Sequence, residues 1–453
     1  MIQNLAESLL PYIPYVVLSF FVWLTYGYTL KCGFVIDDVD GIVSYDGKLQ
    51  GLEYGMISRW LRYHLCGGNF WSGKKDLNGK DVPQGKVPFR HHLLSVTIFN
   101  IAILLTYQFL ASTFSPKLAF LGVLLFIVHP ICNQGVAWIS GLGYPLSLVW
   151  LATNLNLIHW YYSIGSQHLI IDIIVILLSM CIQYLAINAQ FATMMAFIPM
   201  AYLGWWPFSF LTLLLAVHQG FQIVRSTISM RTKVFKEQDM GSSTYLHQRK
   251  LIVAIKTYYY YIRLMLFPKR LGLYHEWGYH YDKEVEKENR MLLQGLLAIG
   301  ATLGLFFYSG DKLVGFGLVW LLSFILIFLN WITIQQFVTE RYVFLPVLGM
   351  CLVVASLLQN ELMIYGLIVG VLLMRTWSHL PSYDDQLKYW QSNIWNYPKA
   401  DAAYGNIGVI YNAMGYPGAS MDAWIMGTKI NPEYDVPHYN LSSQFRSRGM
   451  LLL

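Results

Sequence analysis

The strongest constraint on this chain is a succession of apolar runs, each near the ~20 residues that carry a helix across a bilayer. They fall at 9–30, 92–112, 116–130, 143–163, 168–186, 188–203, 206–226, 291–309, 312–331, 341–358 and 361–375. Charged residues make up 12% of the 453, and hydrophobic ones 56%. Soluble domains are about a quarter charged, so a disordered chain, a fibrous chain and an ordinary soluble enzyme are excluded. The pattern predicts an all-α membrane protein with about eleven spans. The first run has neither a basic start nor a small-residue cleavage site, and reads as a retained helix. The stretch 246–268 stands apart, because Lys250, Lys256 and Arg263 run through Tyr258-Tyr259-Tyr260-Tyr261. Charges that deep in lipid are costly, so a basic aromatic helix in the interface is expected there.

An odd number of spans puts the long polar segments 31–91, 227–290 and 376–453 on one face. The chain divides into a membrane domain, 1–376, and a C-terminal unit, 377–453. Of the 31 Lys and Arg residues, only Lys117 and Lys312 fall on the short-loop face. The positive-inside rule alone would place the long loops in the cytoplasm, but it weakens for loops of about sixty residues or more. The net charge of +6 is modest and points to no nucleic-acid partner. The five cysteines show no metal-ligand spacing. Cys32 and Cys66 share one loop, but a disulfide between them is not the favoured reading.

Four motifs carry possible chemistry. Phe34-Val35-Ile36-Asp37-Asp38-Val39-Asp40 follows the first run. Carboxylates at the mouth of a membrane helix suit a general base or a cation site; a solvated turn is the plain alternative. His129-Pro130, then Gln134 and Trp138-Ile139-Ser140-Gly141, end the third run. The histidine suits a phosphate contact or a cap on helix carbonyls. Glu340-Arg341-Tyr342 through Leu345-Pro346 opens the tenth run. Its arginine either pairs with an anion or snorkels to the headgroups. In the tail, Pro398, Asp401 and Asn406 recur 34 residues later as Pro432, Asp435 and Asn440, which is the tetratricopeptide (TPR) period. About two repeats fit where three are usually needed, so the tail is expected to pack on the membrane domain or on a partner.

Together and in this order, the motifs resemble the polytopic GT-C glycosyltransferases, most closely the transmembrane-and-TPR O-mannosyltransferase family. Phe267-Pro268 to Leu271 resembles that family's Pro-x-x-Leu after an interfacial helix. Phe89 to Leu93, with His92, resembles its opening of the second span. Two positions depart: the family's Glu after His-Pro is Gln134, and its Gly-Arg is Gly141-Leu142. The resemblance implies a GT-C fold of about eleven membrane helices with interfacial helices and a TPR-like tail. It implies an inverting transfer of a sugar from a polyprenyl-phosphate donor to a hydroxyl of a polypeptide acceptor, outside the cytoplasm. The bacterial inner membrane is the expected location, or the endoplasmic reticulum in a eukaryote.

On that reading Asp37 or Asp38 takes the acceptor proton, and the neighbour orients the acceptor or holds a divalent cation. Arg341, Lys269, Arg270 and His129 face the donor phosphate, supported by Asp40, His92, Glu340 and Gln134. The tail, through Asn406, Tyr411 and Asn440, holds the acceptor, since helical repeats present concave surfaces to peptides. The competing reading is an inactive GT-C-like membrane scaffold that binds proteins through its tail. A transporter would need charged or broken helices near the midplane, and these runs offer few.

Overall fold

The computed structural model describes residues 10–38, 45, 48, 55–68, 71–75, 81–83, 87–165, 168–234, 250–275, 289–331, 338–432 and 434–447. Each of the eleven apolar runs contains helix. Among the described residues, six helices are long and apolar enough to cross a membrane: Leu10–Lys31, Pro88–Thr113, Leu169–Ala189, Asn289–Tyr308, Glu340–Leu357 and Leu362–Tyr383. A seventh is obtained if Pro116–Val128 and Pro130–Val136, which meet at 57°, form one broken span. Phe191–Tyr202 and Lys312–Leu326 are apolar but shorter. The fold is therefore that of an all-α protein with several membrane-type helices. A small antiparallel ribbon, Trp71–Lys75 with Asp81–Pro83, interrupts the long polar segment after the first helix.

Local chemistry sets the helix ends. Asp311 caps Lys312–Leu326, its carboxylate accepting from the Leu313 N–H at 2.7 Å and the Val314 N–H at 3.4 Å. Such caps satisfy donors that a helix start leaves orphaned. Prolines in the first turn open Pro88–Thr113 and Pro116–Val128, where a missing N–H costs nothing. Lys312–Leu326 and Phe344–Leu357 lie almost backbone to backbone, since a Cβ on Gly349 would sit 2.3 Å from the Gly317 carbonyl oxygen. Small residues at helix contacts permit this approach in membranes. Phe99, Phe126 and Phe344 meet edge-on or tilted in the core between the helices.

The helix Lys250–Leu266 packs Val253, Ala254, Tyr258, Tyr261, Leu264 and Met265 into the body and leaves Leu251 and Leu266 exposed. Lys256 is buried as well, so this helix is half-embedded in protein. The described part of the tail holds four helices, Gln386–Asn396, Asp401–Ala413, Pro417–Ile430 and Asp435–Ser447. The two aspartates spaced 34 apart each begin a helix. Trp424 Nε1 donates to the Gly405 carbonyl and Ser420 Oγ to the Gly408 carbonyl, closing Asp401–Ala413 against Pro417–Ile430.

Candidate functional site

The site begins with the loop that leaves the first helix. His92, in the first turn of Pro88–Thr113, contacts the Gly33 carbonyl through Nε2 at 3.2 Å. The Gly33 N–H donates to the Asp384 carbonyl at 2.9 Å. Gln386 takes both sides of one residue: its Oε1 accepts from the Ile36 N–H at 3.2 Å, and its Nε2 donates to the Ile36 carbonyl at 3.0 Å. Ile36 has a φ of +54°. That region is unfavourable for a β-branched side chain and persists only where surroundings enforce it, at a cost of ~1–3 kcal/mol. The strained residue directly precedes Asp37-Asp38.

The two carboxylates then part. Asp38 is fully buried. Its Oδ1 accepts from the Ser140 N–H at 2.8 Å and the Ser140 hydroxyl at 2.6 Å, and its Oδ2 accepts from the Val35 N–H at 3.0 Å. Burial pushes its pKa up to about 6, against the pull of those hydrogen bonds and of the Arg62 charge. Arg62 is itself buried, which lowers its pKa to about 10. Ser140 reaches Asp38 because Gly141 allows a tight turn: a Cβ there would lie 2.2 Å from the Gln134 carbonyl oxygen. Asp37 is exposed, and its charge acts on Arg341 and on Tyr389.

Arg341 is seated on aromatic rings, its guanidinium carbon 5.0 Å from the Trp138 ring and 5.7 Å from the Tyr342 ring. Such stacking holds a cation without neutralising it. Tyr342 in turn stacks on Phe328 at 4.5 Å. The Arg341 N–H donates to Gln134 Oε1 at 3.2 Å, as does the Thr339 hydroxyl. Gln134 Nε2 donates to Glu340 and to the Gly272 carbonyl. Buried Glu340 also accepts from the Gly272 N–H at 2.6 Å and contacts His275 Nε2 at 3.0 Å. His275 Nδ1 lies 2.7 Å from the Tyr260 hydroxyl and 3.0 Å from that of Tyr397. Gln134 and Glu340 thus join the His-Pro segment, the Glu-Arg-Tyr segment, the loop after Lys250–Leu266 and the tail at one buried knot.

Other residues marked by the sequence have different places. His129 uses both ring nitrogens inside the protein: the Ile131 N–H donates to Nδ1, and Nε2 donates to the Met265 carbonyl at 2.8 Å. This pins the helix break at His129-Pro130 to the helix Lys250–Leu266. Lys269 and Arg270 line a cleft with Arg263, and Arg341 is not among the lining residues. Asp40 lies outside the described residues. In the tail, Asn406 donates to the Ala402 carbonyl one turn back, the Tyr411 hydroxyl accepts from Gln391 at 3.5 Å, and Asn440 is half-buried on Asp435–Ser447. Cys32 and Cys66 are separate buried thiols.

Arg62, His275 and Tyr389 are contributors that the sequence reading missed. None sits in a motif; each matters through a partner distant in sequence. Arg263 did carry a signal, since its charge marked Lys250–Leu266 as unlike a lipid-facing span. Among the described residues, no three or more His, Cys, Asp or Glu side chains gather as a metal site. No protein-family model, curated protein or solved structure matches the chain.

Proposed function

We propose that this chain is a membrane glycosyltransferase that moves a sugar from a polyprenyl-phosphate carrier to a hydroxyl, with a polypeptide as acceptor. One observation carries the reading. An exposed carboxylate, Asp37, follows a backbone residue held in strain, and its charge acts on Arg341, a cation stacked on Trp138. Strained backbone held by its surroundings clusters at functional sites.

The chemistry assigns roles by environment. Asp37 takes the proton of the acceptor hydroxyl as its oxygen attacks C1 of the sugar. The C1–oxygen bond to the phosphate breaks, and its electron pair stays on the phosphate oxygen. Arg341 stabilises that growing negative charge, a preorganised contribution that costs no rearrangement during reaction. Attack opposite the leaving phosphate inverts C1. Asp38 shapes the loop, because its oxygens already hold Val35 and Ser140. The tail is a TPR-like element that presents the acceptor, on the same face as the Asp37 loop and outside the cytoplasm. A bacterial inner membrane is the setting this suits, or the endoplasmic reticulum in a eukaryote.

The test is Asp37→Asn in the full chain, read by mass spectrometry of sugar on co-expressed secreted proteins. Loss of a general base costs roughly 10²–10⁴ in rate, so transfer should fall by at least about a hundredfold. Wild-type transfer by this variant would remove Asp37 as the base and favour the scaffold reading.

A further inference from the structure

At the Asp37–Arg341 centre, we propose that Tyr389 and Trp138 hold the sugar itself, the phenol hydroxyl and the indole N–H donating hydrogen bonds to its oxygens. The assignment rests on the transfer reading and supplies the contacts to the group that moves. Tyr389 is 2% exposed and Trp138 5%. Among the described residues, neither the Tyr389 hydroxyl nor Trp138 Nε1 has a hydrogen-bond partner. A buried donor left unpaired is costly, and such atoms are few in a native chain. Burial, with the Glu340 charge adding to it, holds the Tyr389 phenol well above its ordinary pKa. At neutral pH the hydroxyl therefore keeps its proton and donates. Both rings are packed in place: Tyr389 meets Tyr383 at 5.3 Å and Trp390 at 5.4 Å, and the Trp138 face carries Arg341 at 5.0 Å.

The chain sets both donors beside the reacting groups. Gln386, one turn before Tyr389 on the helix Gln386–Asn396, takes the N–H and the carbonyl of Ile36, the residue before Asp37. Trp138 stands two residues before Ser140, whose N–H and hydroxyl hold Asp38. The Tyr389 hydroxyl lies within electrostatic reach of both Asp37 and Arg341. The first helix of the tail thus completes the centre.

The order of groups in the transfer picks the ligand. In an inverting attack the sugar carbon lies between the acceptor oxygen, whose proton goes to Asp37, and the leaving phosphate at Arg341. A donor in reach of both groups therefore stands beside the sugar ring. Asp37 is exposed, so the polypeptide enters from its side. The buried side, with Tyr389, Trp138 and Arg341, is left to sugar and phosphate. Arg341 supplies the charge that a phosphate takes. Two neutral donors suit neutral hydroxyls, each of which can accept a hydrogen bond.

The test reads binding, without turnover, on the full chain in neutral detergent. It is titrated with polyprenyl monophosphates that carry mannose, glucose or a pentose, and with the bare polyprenyl monophosphate, and bound carrier is counted by native mass spectrometry. At least one sugar-bearing carrier should bind about tenfold tighter than the bare one, as two neutral hydrogen bonds permit. Tyr389→Phe keeps the ring and should cut that preference roughly fivefold, the worth of one such bond. Its affinity for the bare carrier should not change. It should melt no lower than wild type, because the lost hydroxyl bonds nothing in the protein. Tyr383→Phe is the matched control. Its hydroxyl is also buried without a partner, but its electrostatic neighbours are Tyr389, Glu340, Tyr26 and Cys32, so the preference should persist. Trp138→Phe keeps an aromatic face for Arg341 and should cut the preference about threefold; it serves if Tyr389→Phe fails to fold. Three results overturn the proposal: no sugar-bearing carrier preferred by the wild type, an unchanged preference in both variants (the two donors then hold water alone), or an equal loss in Tyr383→Phe. Asp37→Asn should keep the sugar preference. Normal transfer by that variant would therefore sink the general-base assignment and leave the sugar contacts standing, while a missing preference would sink the contacts alone.

Discussion

At the scale of single residues, Asp37 and Asp38 differ only in what surrounds them. Asp38 has a pKa raised by burial from 3.8 to about 6. Between those values the folded chain binds more protons than the unfolded chain, so stability falls as pH rises through this window and is level above it. At 1.36 kcal/mol per unit the change amounts to about 3 kcal/mol. Thermal unfolding in detergent between pH 4 and 7 should show the decline, and Asp38→Asn should flatten it. An unchanged pH profile in that variant would remove Asp38 as its source. A neighbouring position tests the turn that brings Ser140 to Asp38. Gly141→Ala places a methyl group 2.2 Å from a backbone oxygen, which cannot rotate away. Overpacking of this kind costs about 1–3 kcal/mol and occasionally more. The variant should melt lower and lose transfer together, whereas Asp37→Asn should lose transfer and keep its melting point.

At the scale of elements, the helices were legible because an apolar run of span length has few other solutions. The two aspartates that recur at 34 residues, Asp401 and Asp435, each stand first in a tail helix. The roles within the motifs were not legible. Asp38 is distinguished from Asp37 by Ser140, which lies 102 positions along the chain. His129 is occupied by the backbone of Met265, which leaves no mark in side-chain identity. The His-Pro segment reads as a ligand for phosphate until that carbonyl is seen. Gln134 reads as a loss relative to the resembled family, yet its amide bridges Glu340, Gly272 and the Arg341 backbone, where it donates and accepts at once. The tail was expected to pack on the membrane domain or on a partner, and Gln386 bonds it to Ile36. Gln386→Ala removes two hydrogen bonds from Ile36, each worth ~0.5–1.5 kcal/mol net, and releases a strained φ that offsets part of that loss. Stability should therefore change by less than about 2 kcal/mol. On the proposed transfer reading, activity should fall by at least about tenfold, because the backbone that presents Asp37 is released. A Gln386→Ala chain that transfers at the wild-type rate would show that the Ile36 conformation serves folding alone.

At the scale of the whole molecule, the contacts sort the polar segments by face. The Asp37 loop and the start of the tail are bonded to each other through Gly33, Ile36, Asp384 and Gln386, so they share one side. Asp311 and Lys312 belong to the opposite end, where Tyr202 donates to the Lys312 carbonyl and Ser356 to Asp311. Lys117 and Lys312 stand in the first turns of Pro116–Val128 and Lys312–Leu326, and by the expected topology they are the two of the 31 basic residues on that face. The positive-inside rule would turn the basic end toward the cytoplasm. A site that uses a lipid-phosphate sugar outside the cytoplasm requires the reverse, with the basic surface gathered around an anionic substrate. Labelling decides between them. Cys181 is exposed and the other four cysteines are mostly buried, so Cys181→Ser leaves a quiet background for a membrane-impermeant maleimide. On that background, Lys429→Cys in the tail should label in intact cells and Lys117→Cys only after the membrane is opened. The opposite pattern would place the tail and Asp37 in the cytoplasm, and the transfer reading would then lose its acceptor in the secretory path.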